Sequence, residues 1–484
     1  MTKVKNILLI NPPIRIHDKP RHIPHGIAII ANILRKKISN IDLCFLDWNA
    51  NRYSEEKVSS IIAEKNWDIV LTGGLIPVYG RVIRIAEMVK SFHPKAKIIA
   101  GGSAAMSVSS LLLSNSKVDI VCTGEGEITS VELIQSLIED PYADLSKISG
   151  IAYKDKNDEI IYTDQRPLIK DLDKESDLPA YDLLPMNIYL KNQIIGFGRD
   201  VDFISSRGCP FHCTFCYQPW GRKFRGHSVD FICEAILKLK KEYGVQFISF
   251  QDDEFMADRN RVYEFCERRN QLFPDIRWSC TGRVNLISEE IIKNMRSSGC
   301  CSISYGFESG SPRMLKAMQK AVTIEQMEKA VALNRQYGLP IPVSFILGMP
   351  GENQESCRET VDFCIKNNLH LESLMFATPY PGTQLFEYAV ESGRIKLNDL
   401  HEFVIKLGDA RDFLINLTDS FTDKELQEKS ISMKKEVRAH YKPLSVHEIE
   451  QKIKDLYGEL AEEYCKLSIE DKEHRAKHGA IDLF

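Results

Sequence analysis

Three cysteines fall within eight residues of the stretch SSRGCPFHCTFCYQPWG, which runs from Ser205 to Gly221. Cys209, Cys213 and Cys216 are spaced C-x3-C-x2-C, and no fourth cysteine follows at the next short interval. Closely spaced thiolates bind soft metals, so the number of ligands decides the chemistry. A structural zinc site takes four ligands, usually completed by a second C-x2-C or H-x3-H pair. His212 and His227 stand nearby, but at poor spacing for that role. Ferredoxin-type clusters also take four cysteines. Core cysteines with no shared ligand would rarely fall at this spacing after a strand. The remaining reading is a [4Fe–4S] cluster with three protein ligands, whose fourth iron stays open to bind a small molecule directly.

The cysteines need a scaffold, and the flanking pattern supplies one. The apolar run DFISS precedes them, and SVDFICEAILKLKKEYG, with helical periodicity, follows. The thiols therefore occupy the loop after a strand, where the active sites of α/β barrels lie. Strand-like runs recur downstream with helices between them: VQFISFQDD, IRWSCTGR, CSISYGFES, PVSFILGMPGE and ESLMFATPYPGT. Upstream, five runs rich in Ile, Val and Leu alternate with helical patterns: NILLIN, IDLCFLD, WDIVLTGG, AKIIAGG and VDIVCTGEGE. Repeated βα units of this kind predict a doubly wound, Rossmann-like parallel sheet, with Ser54 as an N-cap of one of its helices. In such sheets ligands bind outside the carboxyl ends of the strands. Those ends carry Asn11-Pro12-Pro13, Asp47, Thr72-Gly73-Gly74, Gly101-Gly102-Ser103 and Gly124-Glu125-Gly126-Glu127. Glycine there either turns the chain or lets backbone approach a large ligand. No G-x-G-x-x-G follows the first strand and no P-loop is present, which argues against a dinucleotide or nucleotide site.

The bulk properties set limits. A chain of 484 residues predicts two or three domains. Its 43% hydrophobic and 27% charged residues are ordinary for a soluble globular protein. A net charge of -4 exerts no pull toward nucleic acid or anionic membrane. No apolar run approaches a transmembrane span. The start, MTKVKNILLINPP, fits a first strand better than a signal peptide. The 13 cysteines are odd in number and scattered, which predicts free thiols in a reducing cytoplasm. Residues 141–194 are polar, with a hairpin expected at KDKND and prolines at 167, 179 and 185, and read as a linker. Residues 399–484 read as amphipathic, highly charged helices, either a cap over the barrel mouth or a partner-binding surface.

At the cysteine stretch the chain resembles the radical S-adenosylmethionine (SAM) superfamily, whose hallmark is C-x3-C-x2-C with an aromatic residue, here Phe215, before the last cysteine. The resemblance implies that Cys209, Cys213 and Cys216 hold a [4Fe–4S] cluster and that SAM chelates the open iron through its amino and carboxylate groups. The six downstream units match that family's partial (βα)6 TIM-type barrel. Asp252 and Asp253 in FQDDEF and Glu308 in YGFESGS then become SAM-contacting candidates. Lys320 is a candidate to neutralise the SAM carboxylate, and Arg283 of TGRVN a candidate to face the barrel. The bland alternatives are helix capping for the two aspartates and a solvated charge for Lys320. For Arg283 the alternative is a structural salt bridge, and for Glu308 an ion pair inside the barrel.

Both halves together, from residue 4 to about 395, resemble the cobalamin-binding radical SAM class, which includes C-methyltransferases and the anaerobic magnesium-protoporphyrin ester cyclase. The implied order is a cobalamin domain over 1–140, the linker 141–194, a radical SAM domain over 195–398 and the helical region 399–484. GGSAAMS departs from the more usual GGPHAT form, and D-x-H-x-x-G is absent. Cobalamin would therefore lie base-off on the strand ends, against Asn11, Pro12, Thr72, Gly73, Gly74, Gly101, Gly102, Ser103, Gly124 and Glu125. A Rossmann-like domain without cobalamin is the alternative. The implied reaction is C-methylation of an unactivated carbon by way of a 5′-deoxyadenosyl radical and methylcobalamin. Radical cyclisation or rearrangement is the runner-up, and a non-enzymatic electron-transfer protein the remote reading. The class also implies an external one-electron reductant such as flavodoxin or ferredoxin. Nothing in the motifs specifies the substrate.

Overall fold

The structure is a computed structural model that describes residues 4–191, 198–462 and 466. It divides into two compact units: residues 1–192 with the returning segment 395–407, and residues 193–394 with 408–484.

Among its described residues the first unit holds a seven-stranded sheet. Its strands are β1 (Lys5–Asn11), β2 (Ile41–Asp47), β3 (Ile69–Gly73), β4 (Lys97–Gly101), β5 (Ile120–Cys122), β6 (Ile151–Lys154) and β7 (Ile160–Tyr162), in the order β2-β1-β3-β4-β5-β6-β7. The first five run parallel, as their unbroken apolar runs require, because helices cover both faces. Ile7, Leu9, Leu34, Ile69, Ile99 and Ile134 join one buried cluster on one face of that sheet. Ser54 caps the helix Glu55–Ala63 by accepting from the Lys57 amide. The strand order reverses between β1 and β3, which makes their carboxyl ends the topological switch point.

Two segments depart from the expected boundaries. Residues 141–194 do more than link: β6 and β7 pair antiparallel and extend the sheet from β5. Their turn is KDKND, where the Asp155 carboxylate accepts from the Asn157 and Glu159 amides. From there to Lys191 the segment straps back over the unit. The Ala180 amide donates to the Ala28 carbonyl at 3.0 Å, and the Tyr189 hydroxyl to Asp47 Oδ2 at 2.6 Å. The physical reason is apolar content: Ile151, Ile169, Leu172, Tyr181 and Tyr189 are all buried. The boundary expected at 194/195 lies outside the described residues. The start of the region 399–484 also belongs to the first unit. Val404 and Leu407 are buried there, and His401 Nδ1 lies 3.1 Å from the Tyr79 hydroxyl.

The second unit holds a six-stranded parallel sheet among its described residues, in the order β15-β14-β13-β12-β11-β8. The strands are β8 (Asp200–Phe203), β11 (Phe247–Phe250), β12 (Arg277–Gly282), β13 (Cys300–Glu308), β14 (Val343–Leu347) and β15 (Leu374–Phe376). A small antiparallel pair, β9 (Ser206–Arg207) with β10 (Arg225–Gly226), brackets the cysteine loop. Alternation along the strands separates two environments. Phe250 and Trp278 turn toward the helix Arg259–Leu272, their rings edge-on to Phe265 at 5.2 and 5.3 Å. Ser249 and Ser279 turn the other way and meet each other at 3.3 Å. The helices therefore cover an aromatic face and leave a polar interior.

The C-terminal helices are part of this scaffold. Arg358 pairs with Glu436, at 2.6 Å, to hold Asp423–His440 beside the helix Gln354–Lys366. The helix Val446–Tyr457 buries Ile453, Leu456 and Tyr457. Tyr457 stacks on Phe247 at 6.0 Å, and the Cys301 thiol donates to the Leu456 carbonyl at 3.1 Å. Phe247 opens β11 and Cys301 is the second residue of β13, so this helix closes the amino ends of the strands. It is not the cap over the mouth that its amphipathic pattern allowed, because its apolar face is used at the opposite end. The continuation of that helical pattern, residues 463–465 and 467–484, lies outside the described residues. Among the described residues no helix is long and apolar enough to cross a membrane.

Candidate active site

The cysteine loop is built at the carboxyl end of β8 by carboxylates from the end of β11. Asp252 accepts from the Ser205 amide at 2.6 Å, the Ser205 hydroxyl at 2.5 Å and the Ser206 hydroxyl at 2.7 Å. Asp253 accepts from the Gly208 amide at 3.0 Å, and burial pushes its carboxyl above the usual range. These two residues, expected to contact SAM or to cap a helix, fold the loop that leads into Cys209. Gly208 has φ +83°, and a Cβ there would strike the Lys223 carbonyl, so the turn into the first cysteine needs glycine. Further along, the Thr214 amide donates to the Met318 carbonyl at 3.0 Å, and Thr214 accepts from Leu385 at the same distance.

The loop brings the three thiols together. Cys213 is buried, Cys209 half-buried and Cys216 exposed. Burial raises the pKa of the half-buried Cys209 thiol. Three neighbouring thiolates repel one another, and bound iron would neutralise them. Three thiols on one loop, with no fourth cysteine at the next short spacing, are a donor set that fits a three-cysteine cluster.

Two buried cations stand beside the thiols. Arg283, just past β12, donates from Nη1 to Cys213 Sγ at 3.3 Å and from Nη2 to the Lys320 carbonyl. Its guanidinium carbon lies 3.7 Å from the Phe211 ring centroid. Lys320 extends its ammonium to Glu308 Oε1 at 2.8 Å and lies 6.0 Å from the ring centroid of Phe215. Glu308 ends β13 at φ +66°, where the register with β14 shifts. A Cβ on Gly306 would overlap its carboxylate, so the bare glycine makes room for the ion pair. Lys320 is therefore not a solvated surface charge, and among the described residues Arg283 is in no carboxylate salt bridge.

Sequence reasoning missed Glu254, the third acid of QDDEF. It is 1% exposed, and it accepts from the Met256 amide at 3.1 Å. Burial pushes its carboxyl up to about 7, against the pull of Arg283 and Lys320. The run of three acids was the available signal. Only the fold shows that the third stands among the cations while the first two hold the loop.

In the first unit the strand ends β3 and β4 meet backbone to backbone. Gly102 has φ +71°, and a Cβ there would come within 2.5 Å of the Gly74 carbonyl oxygen; one on Gly73 would overlap the Gly101 carbonyl. These two glycines serve each other. A Cβ on Gly101 or Gly124 meets nothing within 4 Å, so both face open space. Gly101 ends β4 and Gly124 follows β5, so the ends of these two strands carry no side chain into that space; Gly74 nearby is exposed and Ser103 buried. Three of the expected ligand residues make hydrogen bonds within the unit. The Thr72 hydroxyl donates to the Ile10 carbonyl at 3.1 Å, and the Asn11 amide to Asp47 at 2.8 Å, with Pro12 buried behind it. Glu125 turns inward and accepts from the Ile169 amide at 2.6 Å. The open glycine ends fit a large flat ligand held by backbone and shape.

Comparison with known proteins agrees with this geometry. Residues 203–364 match the radical SAM superfamily, and residues 13–134 match the B12 binding domain. An uncharacterised methyltransferase of Pyrococcus horikoshii is 34% identical over 396 residues, covering 80% of this chain and 84% of its own. The anaerobic magnesium-protoporphyrin IX monomethyl ester cyclase of Rubrivivax gelatinosus is 27% identical over 370 residues, covering 75% of this chain and 66% of its own. The fold is similar to that of the radical SAM methyltransferase TsrM from Kitasatospora setae, solved with cobalamin and a [4Fe–4S] cluster bound. The TM-score is 0.68 at 16% identity, over 91% of this chain and 89% of that one. The two family matches assign a [4Fe–4S] cluster and SAM to the second unit and cobalamin to the first. Similarity of this extent, running through both units, makes the chain a member of the radical SAM superfamily, in the class that carries a B12-binding domain.

Proposed function

We propose that the protein transfers a methyl group from SAM to an unactivated carbon of its substrate. The observation that carries this reading is the 34% identity to a methyltransferase through both units. When bound, the cluster and cobalamin supply the one-electron cleavage of SAM and the carriage of the methyl group. The chain's own residues bind, orient and exclude water. Cys209, Cys213 and Cys216 hold the cluster on a loop fixed by Asp252 and Asp253. Glu308 and Lys320 form a buried pair of opposite charges suited to the ammonium and carboxylate of SAM, with Phe215 beneath Lys320. Glu254 adds a third buried ionisable group to that wall. Gly74, Gly101, Gly102, Ser103 and Gly124 shape the cobalamin face. The electron comes from an external donor of flavodoxin or ferredoxin type, and the exposed Cys216 leaves one side of the loop open to it. A reducing cytoplasm suits the free thiols.

A second reading, oxidative cyclisation without methyl transfer, has the 27% identical cyclase in its favour. Anaerobic turnover with methyl-labelled SAM separates the two. Label in the product together with S-adenosylhomocysteine supports methylation. Product that has only lost hydrogens, with 5′-deoxyadenosine formed and no label gained, overturns it in favour of cyclisation.

A further inference from the structure

Of the two buried cations beside the thiols, one has a carboxylate in contact and the other, among the described residues, does not. Lys320 has the Glu308 carboxylate at 2.8 Å. Arg283 is 7% exposed, and among the described residues no carboxylate stands within ion-pair distance of it. A guanidinium is always charged, and burying it without an anion is expensive. Among the described residues, the side chain in contact with it that can supply a negative charge is Cys213, through the 3.3 Å contact to Sγ. The geometry of that contact is enforced from three other directions. The Lys320 carbonyl takes Nη2, Asn285 Oδ1 lies 3.4 Å from Nε, and the Phe211 ring lies against the guanidinium. Phe211 belongs to the cysteine loop itself, two residues before Cys213.

We propose that Arg283 tunes the reduction potential of the cluster held by Cys209, Cys213 and Cys216, as a positioning and electrostatic residue rather than as a SAM ligand. The inference rests on the cluster assignment. One-electron reduction by the external donor adds one negative charge to a cluster that already carries three thiolates. A hydrogen bond to a ligating sulfur and a fixed positive charge both stabilise the reduced form more than the oxidised one. Hydrogen bonds to the sulfurs and local charge are established determinants of such potentials. In a water-poor site the effect is screened little. Arg283 thus makes the cluster easier to reduce by a physiological donor.

The test uses the full-length protein, reconstituted anaerobically with iron and sulfide. Arg283→Gln and Arg283→Lys are compared with the wild type for iron content, for SAM affinity, and for midpoint potential by redox titration followed by electron paramagnetic resonance. The expected result is wild-type iron, SAM affinity close to wild type, and a midpoint shifted to more negative potential. The shift is larger for Gln, which loses the charge, than for Lys, which keeps it. An unmoved midpoint at full iron overturns the proposal, and an unmoved midpoint with weakened SAM binding reassigns Arg283 to SAM. If Arg283→Gln fails to load iron, Phe211→Leu is titrated instead, since it frees the guanidinium but keeps all three thiols. The same negative shift is then expected, and an unmoved midpoint overturns the idea. Cys213→Ala is the control for the reading beneath it: full iron in that variant would remove the cluster assignment itself.

Discussion

The Lys320 ammonium lies 2.8 Å from Glu308 Oε1, with both side chains under 10% exposed, so the two residues most suited to the ends of SAM are also each other's partner. Removing one partner leaves the other charge buried and alone, a loss of about 3–5 kcal/mol. Glu308→Gln is therefore expected to lower both the melting temperature and SAM affinity. The double variant Glu308→Gln/Lys320→Met removes both charges and should recover most of the stability but not the affinity. Calorimetry and equilibrium binding on the two variants check this. A double variant that binds SAM as tightly as the wild type would withdraw both residues from the SAM site.

Cobalamin retention is expected to respond differently to two neighbouring glycines. A side chain on Gly101 enters open space above the strand ends, so Gly101→Leu should abolish corrin retention with iron content and melting temperature unchanged. Gly102→Ala meets the Gly74 backbone at positive φ and should cost roughly 1–3 kcal/mol through strain. Reconstitution with hydroxocobalamin, gel filtration and visible absorbance, beside thermal melts, separate the two effects. Equal corrin retention in Gly101→Leu and wild type would place the ligand elsewhere.

Glu352, in the GMPGE turn after β14, is 1% exposed and accepts from the Gly348 amide at 2.5 Å and the Met349 amide at 3.3 Å. Burial raises its pKa from 4.5 to about 7. Between those values the unfolded chain has released the proton and the folded chain keeps it, so stability falls as pH rises through that window. The contribution is on the order of 3 kcal/mol at most. Glu352→Gln should flatten this part of the stability profile. Denaturant melts at pH 5 and pH 8 measure it, and identical slopes in variant and wild type would contradict the assignment.

Tyr457 is 2% exposed and stacks on Phe247 at the amino end of β11. Tyr457→Ala opens a cavity there and should cost about 3–5 kcal/mol. Because that end is remote from the cysteine loop, SAM affinity of the folded variant should be unchanged. A fall in affinity at temperatures well below the melt would mean that the C-terminal helix reaches the site.

Much was legible before any coordinates. The βα alternation, the cysteine spacing and the glycine-marked strand ends are local patterns. Apolar periodicity and thiol spacing act over a few residues, so sequence alone determined all eleven parallel strands that matter and the spacing that makes Cys209, Cys213 and Cys216 the candidate cluster ligands. Residues whose role depends on a distant partner were not legible in the same way. Asp252 and Asp253, candidates for ligand contact in the sequence, hold Ser205, Ser206 and Gly208, more than forty residues away. Glu125 was spent on Ile169, and Thr72 on Ile10. Arg283 and Lys320 lie 37 residues apart, and only the packing of β12 and β13 shows that one has a carboxylate in contact and the other lies against Cys213. A buried charge or hydrogen-bonding group must find its partner wherever the chain brings one. That pairing is a property of the folded arrangement, so the tertiary structure alone decided which polar residues build the loop and which face the chemistry.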